Sequence, residues 1–223
     1  MARTKNLTDI PERLIKAGRD LFWRDGYNAT GVQQITQTAG VPKGSFYNHF
    51  ESKEAFAAVV IDHYAAHLCR SWEMLVSAAP KESALATIEY VLDQLTDHHE
   101  RQPGHLGCLM GNFAGEVATS SDLCRQALRI AQISWQERLA ELIRKGQAHG
   151  TIRGDVSAGT LSDFVWDVWQ GALLRMKIEG SAEPVRQSVA LMIDHLLRPG
   201  PTRPNPAAER PGIVVIQESR RQE

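Results

Sequence analysis

From residue 9 to residue 198 the apolar side chains return at every third or fourth position, and no alternating run of useful length occurs before residue 212. That period buries one stripe of an α-helix and cannot line one face of a pleated strand. The chain is therefore expected to be all-α, with about nine helices. Residues 9–25 place Leu14, Ala17, Leu21 and Phe22 on one face, and Gly26 stops that helix. Thr30 precedes a short helix with Val32 and Ile35 inside, ended at Ala39-Gly40. Pro42 stands where a first helical residue belongs, its fixed φ suiting that place, and the helix behind it runs to about Phe50. Ser52 caps the next helix, which continues to about Ala78. Further helices are expected at about 82–101, 107–118, 121–148, 157–179 and 182–198.

Charge and proline divide this helical chain. Residues 1–53 hold eight Lys/Arg against five Asp/Glu, a balance of +3, and the remainder holds 17 against 21, a balance of −4. The formal net charge of −1 excludes a globally basic nucleic-acid binder but leaves room for a locally basic one at the N-terminal end. Half of the ten prolines crowd into residues 199–223, which are read as a disordered tail. Three domains are thus expected: a small head at 1–53, a larger unit at 54–198, and the tail. No apolar run approaches the roughly 18 residues of a membrane span, and the first residues lack the apolar core of a secretory signal. Cys69, Cys108 and Cys124 are odd in number and have no paired spacing, so reduced thiols in a cytoplasmic protein are expected.

The segment TGVQQITQTAGVPKGSFYNHF, residues 30–50, carries the strongest functional signal. Two short helices meet at a tight turn, with Gly40 placed to take a positive φ that a branched residue would resist. That is a helix-turn-helix layout, in which the second helix enters a major groove. Phe46 and Phe50, four apart, pack inward. On the opposite face Lys43 supplies a cation, Gly44 admits a phosphate close to the backbone, and Ser45, Tyr47, Asn48 and His49 supply hydrogen bonds. Lys53 can clamp the same backbone from the next helix. Blander roles stand beside these: Tyr47 as a half-buried packing residue, His49 as a helix-end filler, Gln33 and Gln34 as ordinary helix-surface residues.

The run VPKGSFYNHFESKEAF, with RLIKAGRDLFWRDGYNATGVQQITQTAG before it, resembles the tetracycline-repressor-like (TetR) transcription regulators over residues 9–60. The resemblance implies a homodimeric repressor that binds a palindromic operator in double-stranded DNA and lets go when a small effector enters its C-terminal domain. It implies phosphate contacts from Thr30, Tyr47, His49 and Lys53, and base or mixed contacts from Gln33, Gln34, Lys43, Gly44, Ser45 and Asn48. Release would follow from a change in angle of the 52–78 helix that moves the two reading heads off their spacing of roughly 34–36 Å.

Four of the five tryptophans, Trp72, Trp135, Trp166 and Trp169, lie beyond the head. Leu161, Val165, Val168, Ala172 and Met176 form one stripe, and Val185, Val189, Met192 and Leu196 another. Two such helices suit a four-helix bundle across a two-fold axis, with burial inside one subunit as the alternative. The final helix would otherwise expose a second edge at Leu191 and His195, so the homodimer through about 157–198 is preferred. The glycine-rich GCLMGNFAGE at 107–116, with WQGALLRMKIE at 169–179, resembles a TetR subgroup that responds to small electrophiles such as acrylate or maleimide-type compounds. There a cysteine stands in a GCL-GN motif, matched here by Cys108. The family's pocket among its middle helices places His63, Tyr64, Asn112, Phe113, Glu116, Trp135, Trp166, Trp169 and Arg175 as effector candidates beside Cys108.

Two mechanisms stay open on those residues. Cys108, near a helix start suggested by Pro103-Gly104 and close to His105, can add to an electrophile or be oxidised. Alternatively a small carboxylate is clamped by Arg175 between aromatic walls. Cys108 as a small buried hydrophobe and Arg175 as an ion-pair partner of Glu179 are the plain readings. A DNA-binding regulator without any effector is a further alternative. A metal-dependent hydrolase built on His98, His99, Glu100, His105 and Cys108 is disfavoured, because adjacent helical residues point about 100° apart. No metal or other cofactor, and no enzyme activity, is expected.

Overall fold

The structure is a computed structural model that describes residues 9–102 and 107–200. Pro103, Gly104 and His105, and the Pro-rich tail beyond residue 200, lie outside the described residues. Among the described residues nine α-helices follow one another: α1 Ile10–Asp25, α2 Val32–Ala39, α3 Lys43–Tyr47, α4 Lys53–Ala78 and α5 Ala84–Arg101, then α6 Leu109–Val117, α7 Asp122–Ala148, α8 Ala158–Glu179 and α9 Glu183–Leu191. The last continues as a π-helical turn over Met192–Leu197. There is no strand among the described residues, and no helix there is long and apolar enough to cross a membrane.

Serine side chains start four of these helices. Ser52, Ser83, Ser121 and Ser157 each accept the backbone N–H three residues on, at 3.0–3.1 Å. Each satisfies one of the N–H groups that a helix start leaves unpaired, worth about 1 kcal/mol. Helices α1, α2 and α3 form the head around Leu14, Phe22, Ile35 and Phe46, all of them 0–1% exposed. Phe56 and Val60, from the first turns of α4, complete that core. Gly18 makes this possible, since a Cβ there would collide with the Phe56 ring. The boundary expected after residue 53 thus falls at the start of a helix that belongs to both units.

Behind the head, α4 lies along α7, α7 along α8, and α8 along α9, while α5 closes over α4, α7 and α9. Helix α6 bridges α1 and α7. The two apolar stripes expected to meet across a two-fold axis are instead buried within one subunit: Leu161, Val165, Ala172 and Met176 on α8, Val185 and Val189 on α9. They are the faces by which α8 and α9 pack on α5 and α7. What stays exposed is a different edge: Phe164, Leu174 and Ile178 on α8, spaced for one helix face, and Leu191 at the end of α9.

Candidate functional site

The reading helix is positioned from behind. Gly40 ends α2 in the left-handed conformation, φ 64°, where its N–H and that of Val41 return to the carbonyls of Gln37 and Thr36 at 3.0 Å. Arg13 of α1 donates to the carbonyls of Ala39 and Gly40 at 2.5 and 3.0 Å, fixing the turn to the body of the head. Phe46 is fully buried against Phe50 and Phe56, with ring centroids 5.4 and 5.1 Å away. With that face anchored, Lys43, Gly44, Tyr47, Asn48 and His49 all stand exposed on the other, Tyr47 by 55%. No atom lies within 4 Å of where a Gly44 side chain would begin, so the backbone is open to close approach. Ser45 is half-buried and Gln33 exposed, while Gln34 is half-buried and donates to Asp25 at 3.1 Å.

Two expected contacts point elsewhere. Thr30 is completely buried, and its hydroxyl donates to the carbonyl of Gly26 at 2.7 Å, closing the α1–α2 turn. Lys53 lies over the Tyr27 ring, 4.1 Å from its centroid, and donates to the Tyr27 carbonyl at 2.6 Å. Burial holds this amine below its usual range, against the opposing pull of the Glu116 carboxylate. Both residues brace the head from within. Periodicity could not separate them from phosphate contacts, because bracing and contact residues share one turn.

The effector candidates fall into four places. Phe113 is core, packed edge-on to Phe22 at 5.4 Å. Trp135 stacks between Trp72 and Trp166 at 5.8 and 5.0 Å, and Trp169 is buried against His99 at 6.1 Å. His63 is exposed, and Arg175 is exposed in a 2.9 Å pair with Glu179 and lines neither of the two cavities described below. The remaining four sit around α6. Cys108 occupies the residue before the first turn of α6 and is 8% exposed. Tyr64 is buried beside Cys108; burial first, then that thiol, pushes the phenol well above its ordinary range. Cys108 and Asn112 border a small cavity of about 170 Å³ with Gly107, Gln170, Leu173 and Lys177. Glu116 reaches the head, accepting the Asn28 N–H at 2.8 Å where Gly26, at φ 87°, leaves it room.

A second link ties this turn to the head: the Trp23 indole N–H of α1 donates to the Gly107 carbonyl at 3.0 Å. Trp23 also borders a feature that periodicity did not reveal, an open-sided cavity of about 930 Å³ between α1, α4 and α5. Of the ten effector candidates only Tyr64 lines it; the rest of its wall comes from residues such as Arg19, Leu68, Leu75, Leu95 and His98. No group of three or more His, Cys, Asp or Glu among the described residues is arranged to hold a metal ion.

Similarity to known proteins follows the same division. Residues 14–60 match the model of bacterial regulatory proteins of the tetR family, and residues 84–192 match the tetracyclin repressor-like C-terminal domain. The chain is 38% identical over 191 residues to the HTH-type transcriptional repressor DhaR of Mycobacterium sp. strain GP1, covering 85% of this chain and 93% of that one. It is 33% identical to the transcriptional regulator AcuR of Cereibacter sphaeroides over 78% of this chain and 79% of the relative. The crystal structure of E. coli NemR in its reduced form superposes with a TM-score of 0.77 at 28% identity, over 86% of this chain and 98% of that one. The reading head, the helical unit behind it and these relatives agree: the chain belongs to the TetR family of transcriptional regulators, not to an enzyme family.

Proposed function

We propose that this chain is a cytoplasmic repressor that pairs through α8 and α9, holds a palindromic operator with two copies of α3, and lets go when a small electrophile or carboxylate such as acrylate acts at the Cys108 turn. The carrying observation is the hydrogen bond from Trp23 to Gly107, which joins the residue before Cys108 directly to the head. The exposed edge of Phe164, Leu174, Ile178 and Leu191 supports pairing, because single subunits rarely leave such a set in water. Lys43, Gly44, Ser45, Tyr47, Asn48 and His49 then meet DNA, with Gln33 alongside, while Gln34, Thr30 and Lys53 hold them in place.

In the thiol reading, the Cys108 sulfur attacks the β-carbon of an activated alkene. A carbon–sulfur bond forms, the alkene π bond breaks, the thiol proton leaves to solvent and the α-carbon takes one from solvent. Negative charge develops in that step beside the Tyr64 hydroxyl and the first N–H groups of α6. An adduct enlarges a residue 8% exposed and pushes on Gly107, hence on Trp23 and α1. That the NemR relative was crystallised as its reduced form is in keeping with thiol chemistry at such a site.

The test is binding of the full chain to its own upstream DNA, by anisotropy across a salt series, with and without acrylate. Tight, salt-sensitive binding that acrylate weakens about 100-fold, a coupling of roughly 2.7 kcal/mol, is the expected result. Cys108→Ser should bind DNA normally and ignore acrylate. Release that survives in Cys108→Ser sinks the thiol reading, and binding that ignores acrylate in both forms leaves a regulator without this effector.

A further inference from the structure

The 930 Å³ cavity between α1, α4 and α5 is far larger than any three-carbon acid needs, and its volume is that of sites for drug-sized molecules. Its inner surface is mainly apolar, built from Trp23, Tyr64, Leu68, Leu75 and Leu95. Its charged groups are unbalanced. Arg19, Arg24 and Arg101 face it with only Asp20 as an acid among the lining residues. Arg19 is paired with Asp20 at 2.8 Å and Arg24 with Asp25 at 2.7 Å, whereas Arg101 has no ionic partner among the described residues. Two histidines, His67 and His98, also border it. Burial lowers both below the usual imidazole range, and the cations beside them (Arg19 and Arg70 for His67, Arg101 for His98) push the same way. An apolar floor with one arginine at its rim that has no ionic partner among the described residues asks for one kind of occupant.

We infer that this cavity binds an amphipathic anion, an apolar chain ending in a carboxylate, with the chain along Trp23, Leu68 and Leu95 and the carboxylate toward Arg101, for which decanoate serves as the probe. The site is distinct from the Cys108 cavity, with which it shares no lining residue, but the two are joined through Trp23, which lines the large cavity and donates to the carbonyl of Gly107 in the small one. Because α1 belongs to the head and α4 and α5 run into the unit behind it, an occupant bridges the elements whose relative angle sets operator spacing. That consequence rests on the repressor reading given above; the binding itself does not.

Calorimetric titration of the full chain with sodium decanoate, in the absence of DNA, separates the two. The expected result is saturable binding of one decanoate per subunit, with decanol, the neutral isostere, at least tenfold weaker and acrylate silent at the same concentrations. Arg101→Gln should weaken decanoate about tenfold with little effect on decanol. Ser71→Trp, which fills the cavity from α4, should abolish binding, and Cys108→Ser should leave it intact. Equal binding of decanoate and decanol, or several decanoates per subunit from adsorption on the exposed α8 edge, overturns the inference. So does unchanged binding in Arg101→Gln, an exposed position whose substitution leaves the core untouched even if Ser71→Trp were to unfold. Adding decanoate to the DNA titration then reads the coupling: weakened operator binding supports it, and saturable binding with unchanged DNA affinity refutes the coupling alone.

Discussion

The two halves of this molecule treat polar groups in opposite ways. In the head, the exposed groups proposed to meet DNA lie on one short helix and the two residues after it, residues 43–49, and are presented because Phe46 and Phe50 on the other side are sealed in. Behind the head, the groups that matter are gathered from α1, α4, α5 and α6, over eighty residues apart, and several are buried. A surface that reads a rigid duplex needs exposure and a stiff mount. A site that senses a small molecule needs enclosure and a connection to something that moves. The head therefore advertises itself in local sequence, while the sensor exists only after folding.

The largest expected effect probes the mount. Phe46→Ala removes a fully buried ring in contact with Phe50 and Phe56 and should destabilise the head by about 3–5 kcal/mol. Thermal unfolding should shift sharply, and operator binding should fall with it. An unshifted transition would mean that the head's core does not depend on the α3–α4 contact, and the contrast between mount and surface would fail.

The next effect belongs to the buried half. His99 is 7% exposed, leans on Trp169, and its Nδ1 has no hydrogen-bond partner among the described residues. Burial first, then the neighbouring His98, lowers its pKa to about 4 from 6.5. The folded chain thus refuses a proton that the unfolded chain accepts once the pH drops below about 6.5. The stability difference is fully present above that pH and is lost progressively down to about 4, amounting to about 3 kcal/mol. Urea unfolding at pH 7 and at pH 4.5 should show the loss in the parent chain and a clearly smaller one in His99→Phe. Parallel losses in both would remove His99 as the cause.

Tyr47 tests the surface side of the comparison. Half of its ring is in water although it touches Phe46 edge-on at 5.2 Å. Tyr47→Ala should weaken operator binding about tenfold, roughly 1.4 kcal/mol, with the unfolding temperature and the dimer unchanged. A drop in stability without a specific loss of affinity would make it a packing residue, the reading that its neighbour Phe46 already occupies.

These contrasts explain what sequence could and could not show. Helix limits were legible because serines, glycines and prolines mark them chemically; Ser52, Gly40 and Gly26 act where periodicity put them. The reading face was legible because Phe46 and Phe50 sit four residues apart and fix which side turns outward. The inward bonds of Thr30 and Lys53 were not legible, since their partners, Gly26 and Tyr27, lie in a loop whose path no periodicity describes. Which side of α8 stays exposed was not legible for a related reason. Both faces of α8 are apolar, and only packing against α7 and α9 decides which one is spent inside the subunit. The large cavity was invisible because each of α1, α4 and α5 lines it with one face, and periodicity does not say which faces of separate helices meet.

The smallest expected effect discriminates most finely between the two styles of polar group. Arg175 carries a charge in the sensor half, but in the manner of the head: it is exposed and spans one turn to Glu179. An i,i+4 pair in water contributes about 0.3–0.5 kcal/mol and is screened by salt. Arg175→Gln should therefore move the unfolding midpoint barely beyond error at low salt and not at all at high salt, while acrylate release and decanoate binding stay as in the parent chain. A loss of effector response with stability intact would return Arg175 to the list of ligand clamps, and would require a carboxylate to be held on the open face of α8. Such a site has none of the enclosure found at Cys108 or between α1, α4 and α5, so the outcome decides whether sensing here needs enclosure at all.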